Sequence, residues 1–216
     1  MREGNSSNGD RGQAYTLEGL ISAMVVLMAV LFALQSAVIT PTTGGLNDRT
    51  VQAQVQQEVQ DALVVAANNE SGNLSNMTRH WNGEGGFEDA SGPQPPGENN
   101  STYEADEDGN FTTEFTLGDI LYERFGENGQ NYNVEAHYED GDAERDHKTL
   151  VYQGSPPSGA VTASYTVTLY DEQETTGDDY EQDLINSSDD DKETIPYRDA
   201  GSGPVYNVVE IRVIVW

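Results

Sequence analysis

Cysteine is absent from this chain of 216 residues, so neither disulfides nor thiolate chemistry contributes to it. Positive charge is scarce: 10 Lys and Arg stand against 38 Asp and Glu, for a formal net charge of −28. Only Lys148 and Lys192 are lysines. That balance argues against nucleic acid and anionic headgroups as partners, because both are polyanions. Histidine is rare too, and His80, His137 and His147 are too scattered in sequence to suggest a ligand set. The chain has no Gly-rich phosphate loop, nucleophile elbow or helix with paired histidines. No catalytic, cofactor or metal residues are therefore expected, and the sequence does not read as an enzyme. Asp106-Glu107-Asp108-Gly109-Asn110 and Asp140-Gly141-Asp142 look superficially like calcium loops. Neither follows the EF-hand order, with glycine sixth and glutamate twelfth. In so acidic a chain they read as solvated loops.

What is present is one unbroken apolar run from Gly19 to Ile39, GLISAMVVLMAVLFALQSAVI. A bilayer core of roughly 30 Å needs about 20 apolar residues in a helix, and this run supplies them without an ionised side chain or proline. It is too long for the apolar stretch of a secretory signal peptide. Immediately upstream stands Asp10-Arg11-Gly12-Gln13-Ala14-Tyr15-Thr16-Leu17-Glu18. Arg2 and Arg11 precede the run and acidic sequence follows it, so a cytoplasmic N-terminus and an external bulk fit the positive-inside tendency. Arg49, just beyond the far end, weighs slightly the other way.

Arg11-Gly12-Gln13 followed by a Glu-containing apolar helix resembles the class III signal of archaeal type IV pilins and pilin-like proteins. The resemblance implies cleavage after Gly12 by a prepilin peptidase, with Gln13 as the new N-terminus and the apolar helix retained. It also implies that Glu18 neutralises the terminal amine of a neighbouring subunit. Glu18 falls sixth from Gln13, where the commoner family position is fifth. Independently of the family, a carboxylate at the centre of a membrane helix costs about 2.5 to 3.5 kcal/mol and much less near an interface. Glu18 thus either pairs with an amine or sits in the headgroup layer.

The expected fold class is α+β: a long N-terminal transmembrane or assembly helix, then an extracellular antiparallel β-sheet domain packed on helix. Residues 1–12 form the leader, 13–40 the apolar helix and 41–216 the acidic domain, a size suited to one domain. Pro41-Thr42-Thr43-Gly44-Gly45 is expected to break or kink the first helix. A second helix, capped by Asn47 or Asp48, runs to about Ala67, with Val51, Val55, Val59, Ala62, Leu63 and Ala66 as its apolar stripe. Residues 68–110 read as a disordered-like loop, rich in Asn, Gly, Ser and Pro, and 171–202 as a second one. Thr116 and Asp119 suggest a capping box opening a short helix to about Phe125. Alternation of two then marks strands at Val134–Tyr138, Thr149–Gln153, Val161–Leu169 and Val205–Trp216, with Glu139–His147 as a charged turn.

Seven N-x-Ser/Thr triplets begin at Asn69, Asn73, Asn76, Asn99, Asn100, Asn110 and Asn186, and these are candidate glycosylation sites. Their clustering in polar loops suits external modification, although composition alone also produces such triplets. The acid-rich, lysine-poor surface looks like that of proteins from extremely halophilic archaea, where salt screens self-repulsion. The functional expectation is a pilin-like structural subunit, with the prepilin peptidase, other pilin-like subunits and membrane lipid as partners. The alternative is a single-pass surface protein whose ectodomain binds a ligand or a cell-wall component.

Overall fold

The computed structural model describes residues 7–35, 43–83, 85–140, 144–177, 182–184 and 203–216, with the side chains of 7–14, 32–35 and 43–48 left out. The chain forms two compact units, Met1–Asp48 and Arg49–Trp216. The first contains helix α1, Ser7–Gln35. Helix thus begins six residues before the expected start at Gln13 and runs through the Gly12-Gln13 junction. Pro41, the expected breaker, lies outside the described residues.

Helix α2 spans Thr43–Ala67. Gly44 and Gly45 fall inside its first turn rather than breaking it, and the expected cap at Asn47 or Asp48 is superseded. Glycine costs least there, because the first four N–H groups of any helix have no intrahelical partner. The second half of the stripe holds: Val59, Ala62, Leu63 and Ala66 are buried, with Val55 packed against them. Val51 at its start is 59% exposed.

Four antiparallel strands, β1 (Tyr132–Glu139), β2 (Arg145–Val151), β3 (Val161–Tyr170) and β4 (Val205–Val215), form one sheet in the order β2-β1-β4-β3. The fold class is α+β. Strict alternation on β4 buries Val209, Ile211, Val213 and Val215 on the core face, while Glu210 and Arg212 point the other way, half-buried. β4 takes the centre because both its neighbours pair along most of its length, β1 through Tyr132↔Val215 to His137↔Glu210 and β3 through Val161↔Val215 onward. The carboxy-terminal Trp216 is locked to Asn131 by a reciprocal pair of 3.0 Å backbone hydrogen bonds.

Strand β2 starts at Arg145, inside the stretch expected as turn, and ends at Val151 rather than Gln153. Its first three residues are exposed, so charged side chains pair there without desolvation. As an edge strand it is covered: Tyr103 N–H donates to the Leu150 carbonyl at 2.7 Å, and the Glu98 carboxylate accepts from Thr149 N–H at 2.9 Å. At the opposite edge, Gln52 and Gln56 of α2 donate to the carbonyls of Gly159 and Thr162.

Residues 68–110 are not a disordered-like loop. The segment has little regular structure, yet it buries Leu74, Met77, Trp81, Phe87 and Tyr103. With Phe111, Phe115 and Tyr132 these build the aromatic half of the core, where Tyr103 and Phe115 meet edge to face at 5.3 Å. Helix α3 (Leu74–Thr78) is capped by the Asn73 side chain, which accepts from Asn76 N–H at 3.0 Å. Two short helices, α4 (Asn110–Glu114) and α5 (Thr116–Leu121), meet at Phe115. A π-helical turn over Tyr122–Gly126 extends α5 and buries Phe125, so the expected helix to Phe125 exists in two geometries. The capping box does not form. Phe115 occupies the cap, and the Thr116 hydroxyl instead donates to Ser71 and accepts from Asn69.

The second expected loop is partly described. Arg79 anchors it, donating to the carbonyl of Glu174, while Thr176 N–H donates back to the Arg79 carbonyl at 2.9 Å. Glu174 and Asp183 bridge, and Leu184 is fully buried.

Candidate functional site: the apolar surface of helix α1

Every described side chain of α1 from Tyr15 to Leu31 is exposed, on all sides of the helix. Ten of them are large and apolar: Leu17, Leu20, Ile21, Met24, Val25, Val26, Leu27, Met28, Val30 and Leu31, each between 49% and 63% exposed. Fully burying one such side chain is worth roughly 1.5 to 3 kcal/mol, so the set leaves on the order of 10 kcal/mol unrealised in water. A helix apolar all round is normally covered, by protein or by lipid. Among the described residues no helix is long and apolar enough to cross a membrane. The described side chains of α1 end at Leu31, whereas the apolar run of the sequence continues to Ile39.

Glu18 lies one residue before that run and is exposed. At 3.6 residues per turn it shares a face with Ser22, Val25 and Ala29. Gly12 and Gln13 are helical in backbone, and their side chains lie outside the described set.

The second unit offers no comparable chemistry. Among its described residues no group of three or more His, Asp or Glu is arranged to hold a metal ion. A groove of about 350 Å³ between α2 and the start of β3 has mixed walls, with Arg49, Gln52 and Gln56 beside Ala53, Ala160 and Val161. It contains no nucleophile paired with a base.

The histidines are less scattered than their sequence positions suggest. Register places His137 directly opposite His147, and their rings stack with centroids 5.3 Å apart. His137 Nε2 lies 2.7 Å from Glu135 Oε2, and His147 Nε2 lies 3.8 Å from Glu98 Oε1. The hydrogen bond from His137 holds the Glu135 carboxyl below the usual carboxylate range, against the opposing effect of partial burial. The sequence signal was the position of the two histidines, equally far from the centre of one hairpin. His80 is separate, with its ring edge-on to Phe115 at 5.4 Å and Nδ1 2.9 Å from the Tyr103 hydroxyl.

The glycosylation candidates fall into different environments. Asn69 and Asn99 are exposed, Asn73, Asn76 and Asn110 are half-buried, and Asn100 is buried. Asn186 lies outside the described residues.

A family of unknown function (DUF7288) matches residues 11–215. The chain belongs to the DUF7288 family. The DUF7288 match takes in α1 from Arg11 onward and the sheet domain, and it opens beside the Gly12-Gln13 junction. No curated protein and no solved structure matches the DUF7288 chain.

Proposed function

We propose that this chain is a type IV pilin-like structural subunit, built into or tethered to a cell-surface filament through α1. The observation that carries the reading is the apolar surface of that helix, exposed on every side from Leu17 to Leu31. In the proposed cycle a prepilin peptidase cuts after Gly12 on the cytoplasmic side and leaves α1 on the mature protein. Lipid covers the helix first, and the same helix of neighbouring subunits covers it on assembly. Small residues at Gly19, Ser22, Ala23, Ala29 and Ala33 support close helix packing, which is how helices associate where lipid removes the hydrophobic drive. Glycine at position 12 suits the cut, because it is among the poorest helix formers and lowers the cost of opening α1 there by about 1 kcal/mol relative to alanine. Glu18 then faces a neighbour's freed amine at Gln13, which lowers the cost of a carboxylate at the membrane boundary. The acidic domain stands outside the cell.

N-terminal sequencing of the protein from the membranes of cells that make it tests the reading. The expected mature chain begins at Gln13, and Gly12→Val accumulates the uncut form. A membrane-bound protein with its first twelve residues intact, unaffected by Gly12→Val, would establish the single-pass surface anchor instead.

A further inference from the structure

We infer that Asn99 is the N-glycosylated residue of the 68–110 segment, and that its neighbour Asn100, in the overlapping triplet, is not. The proposal rests on the external placement of the second unit. N-glycosylation joins the Asn Nδ2 to C1 of a sugar; the bond from C1 to the phosphate of a membrane-borne glycosyl phosphate breaks, phosphate leaves with the electron pair, and the amide loses one proton. Whether this happens before or after folding, the finished structure has to accept a bulky polar group on that nitrogen.

Five of the six described triplets resist it. Asn100 is 6% exposed, so a glycan there would have to displace core. The Asn73 side chain caps α3 and also donates to the Asn69 carbonyl at 3.1 Å. Asn76 is half-buried, and its side chain is fixed in place by the buried Arg79 guanidinium, which donates to Oδ1 at 3.3 Å. Asn110 Nδ2 donates to the Asp89 carbonyl at 2.9 Å. Asn69 is exposed, but its Nδ2 donates to the Thr116 hydroxyl at 2.7 Å and helps tie α2 to α5.

Asn99 differs from all of these. It is exposed and follows a turn closed by Glu98 N–H donating to the Pro95 carbonyl at 3.2 Å. Only its backbone carbonyl is engaged, by Gln94 Nε2 at 3.1 Å. Its side-chain amide has no partner among the described residues. The glycan would stand beside the covered edge of β2, where Glu98 meets Thr149.

The test is peptide mapping by mass spectrometry on the full chain from cells that make it, together with protease shaving of intact cells. The expected result is a sugar mass on the peptide containing Asn99, lost in Asn99→Gln and in Ser101→Ala. Ser101→Ala leaves the Asn100 triplet intact, so any sugar that survives there overturns the assignment. A bare Asn99 peptide from a domain that external protease digests also overturns it, and leaves the pilin-like reading standing. A domain that protease cannot reach on intact cells removes the external placement and this inference with it.

Discussion

Among the described glycines, Gly118 makes the closest approach to backbone. A Cβ built there would collide with the backbone carbonyl of Phe111, so α4 and α5 pack closely only because position 118 carries no side chain. Backbone cannot rotate aside as a side chain does. Gly118→Ala is therefore expected to cost about 3 kcal/mol, the upper range for overpacking, read as a lower urea midpoint with unchanged slope. A midpoint equal to wild type would mean that α4 and α5 are not held at this distance. A second residue-scale effect concerns acid. The Glu135 carboxyl is held below its ordinary value by the hydrogen bond from His137. A depressed carboxylate contributes stability that is full above the unfolded value, about 4.3 for glutamate, and lost as pH falls through the folded value. The melting temperature is thus expected to fall between pH 5 and pH 3, and His137→Asn to shallow that fall. Parallel pH profiles for the two proteins would remove the pair from the account.

At the scale of elements, α1 and the sheet unit pose opposite problems. The second unit satisfies itself, with thirty buried hydrophobic residues among those described packed in one cluster. The helix has no such cover. Removing residues 1–48 is accordingly expected to give a detergent-free protein that unfolds in one cooperative step, while the full chain needs detergent or lipid. Gel filtration and a thermal melt decide this, and aggregation of the truncated protein would show that the sheet unit depends on the first unit. The same contrast explains what the sequence revealed. Strands β1, β3 and β4 and the stripe of α2 from Val59 to Ala66 were legible because burial on one face imposes a period of two or of three and four. The apolar run of α1 was legible by length. Trp81, Phe87 and Tyr103 follow no period, since each reaches the core from irregular backbone, and their segment reads as loop by composition although it supplies six of the thirty buried hydrophobic residues in the described core. The meeting of His137 with His147 depends on hairpin register, and which of adjacent Asn99 and Asn100 is exposed depends on a turn. Neither is set by local composition.

Across the whole molecule the dominant quantity is charge. With −28 formally on 216 residues, and with cations as few as they are, self-repulsion opposes the compact state over its entire surface. Local pairing does little to relieve it: Arg212 lies 3.5 Å from Glu210, but both half-buried side chains keep more than a third of their surface in solvent, where such pairs are worth at most about 1 kcal/mol. What relieves diffuse repulsion is screening, since the Debye length falls from about 10 Å at 0.1 M salt to about 3 Å at 1 M. Assembly into the proposed filament would sharpen the requirement, because neighbouring subunits would bring like-charged domains together while their α1 helices pack. Both folding and assembly are therefore expected to strengthen with salt. Trp81, buried at 1% exposure, provides a fluorescence probe of the core. Between 0.1 M and 2 M potassium chloride the melting temperature reported by that probe should rise by well over ten degrees, with folded signal lost on dialysis to low salt. Sodium sulfate and potassium chloride at matched ionic strength separate screening from salting-out: screening predicts similar gains, whereas a gain confined to sulfate would assign the stabilisation to exclusion of the salt from apolar surface.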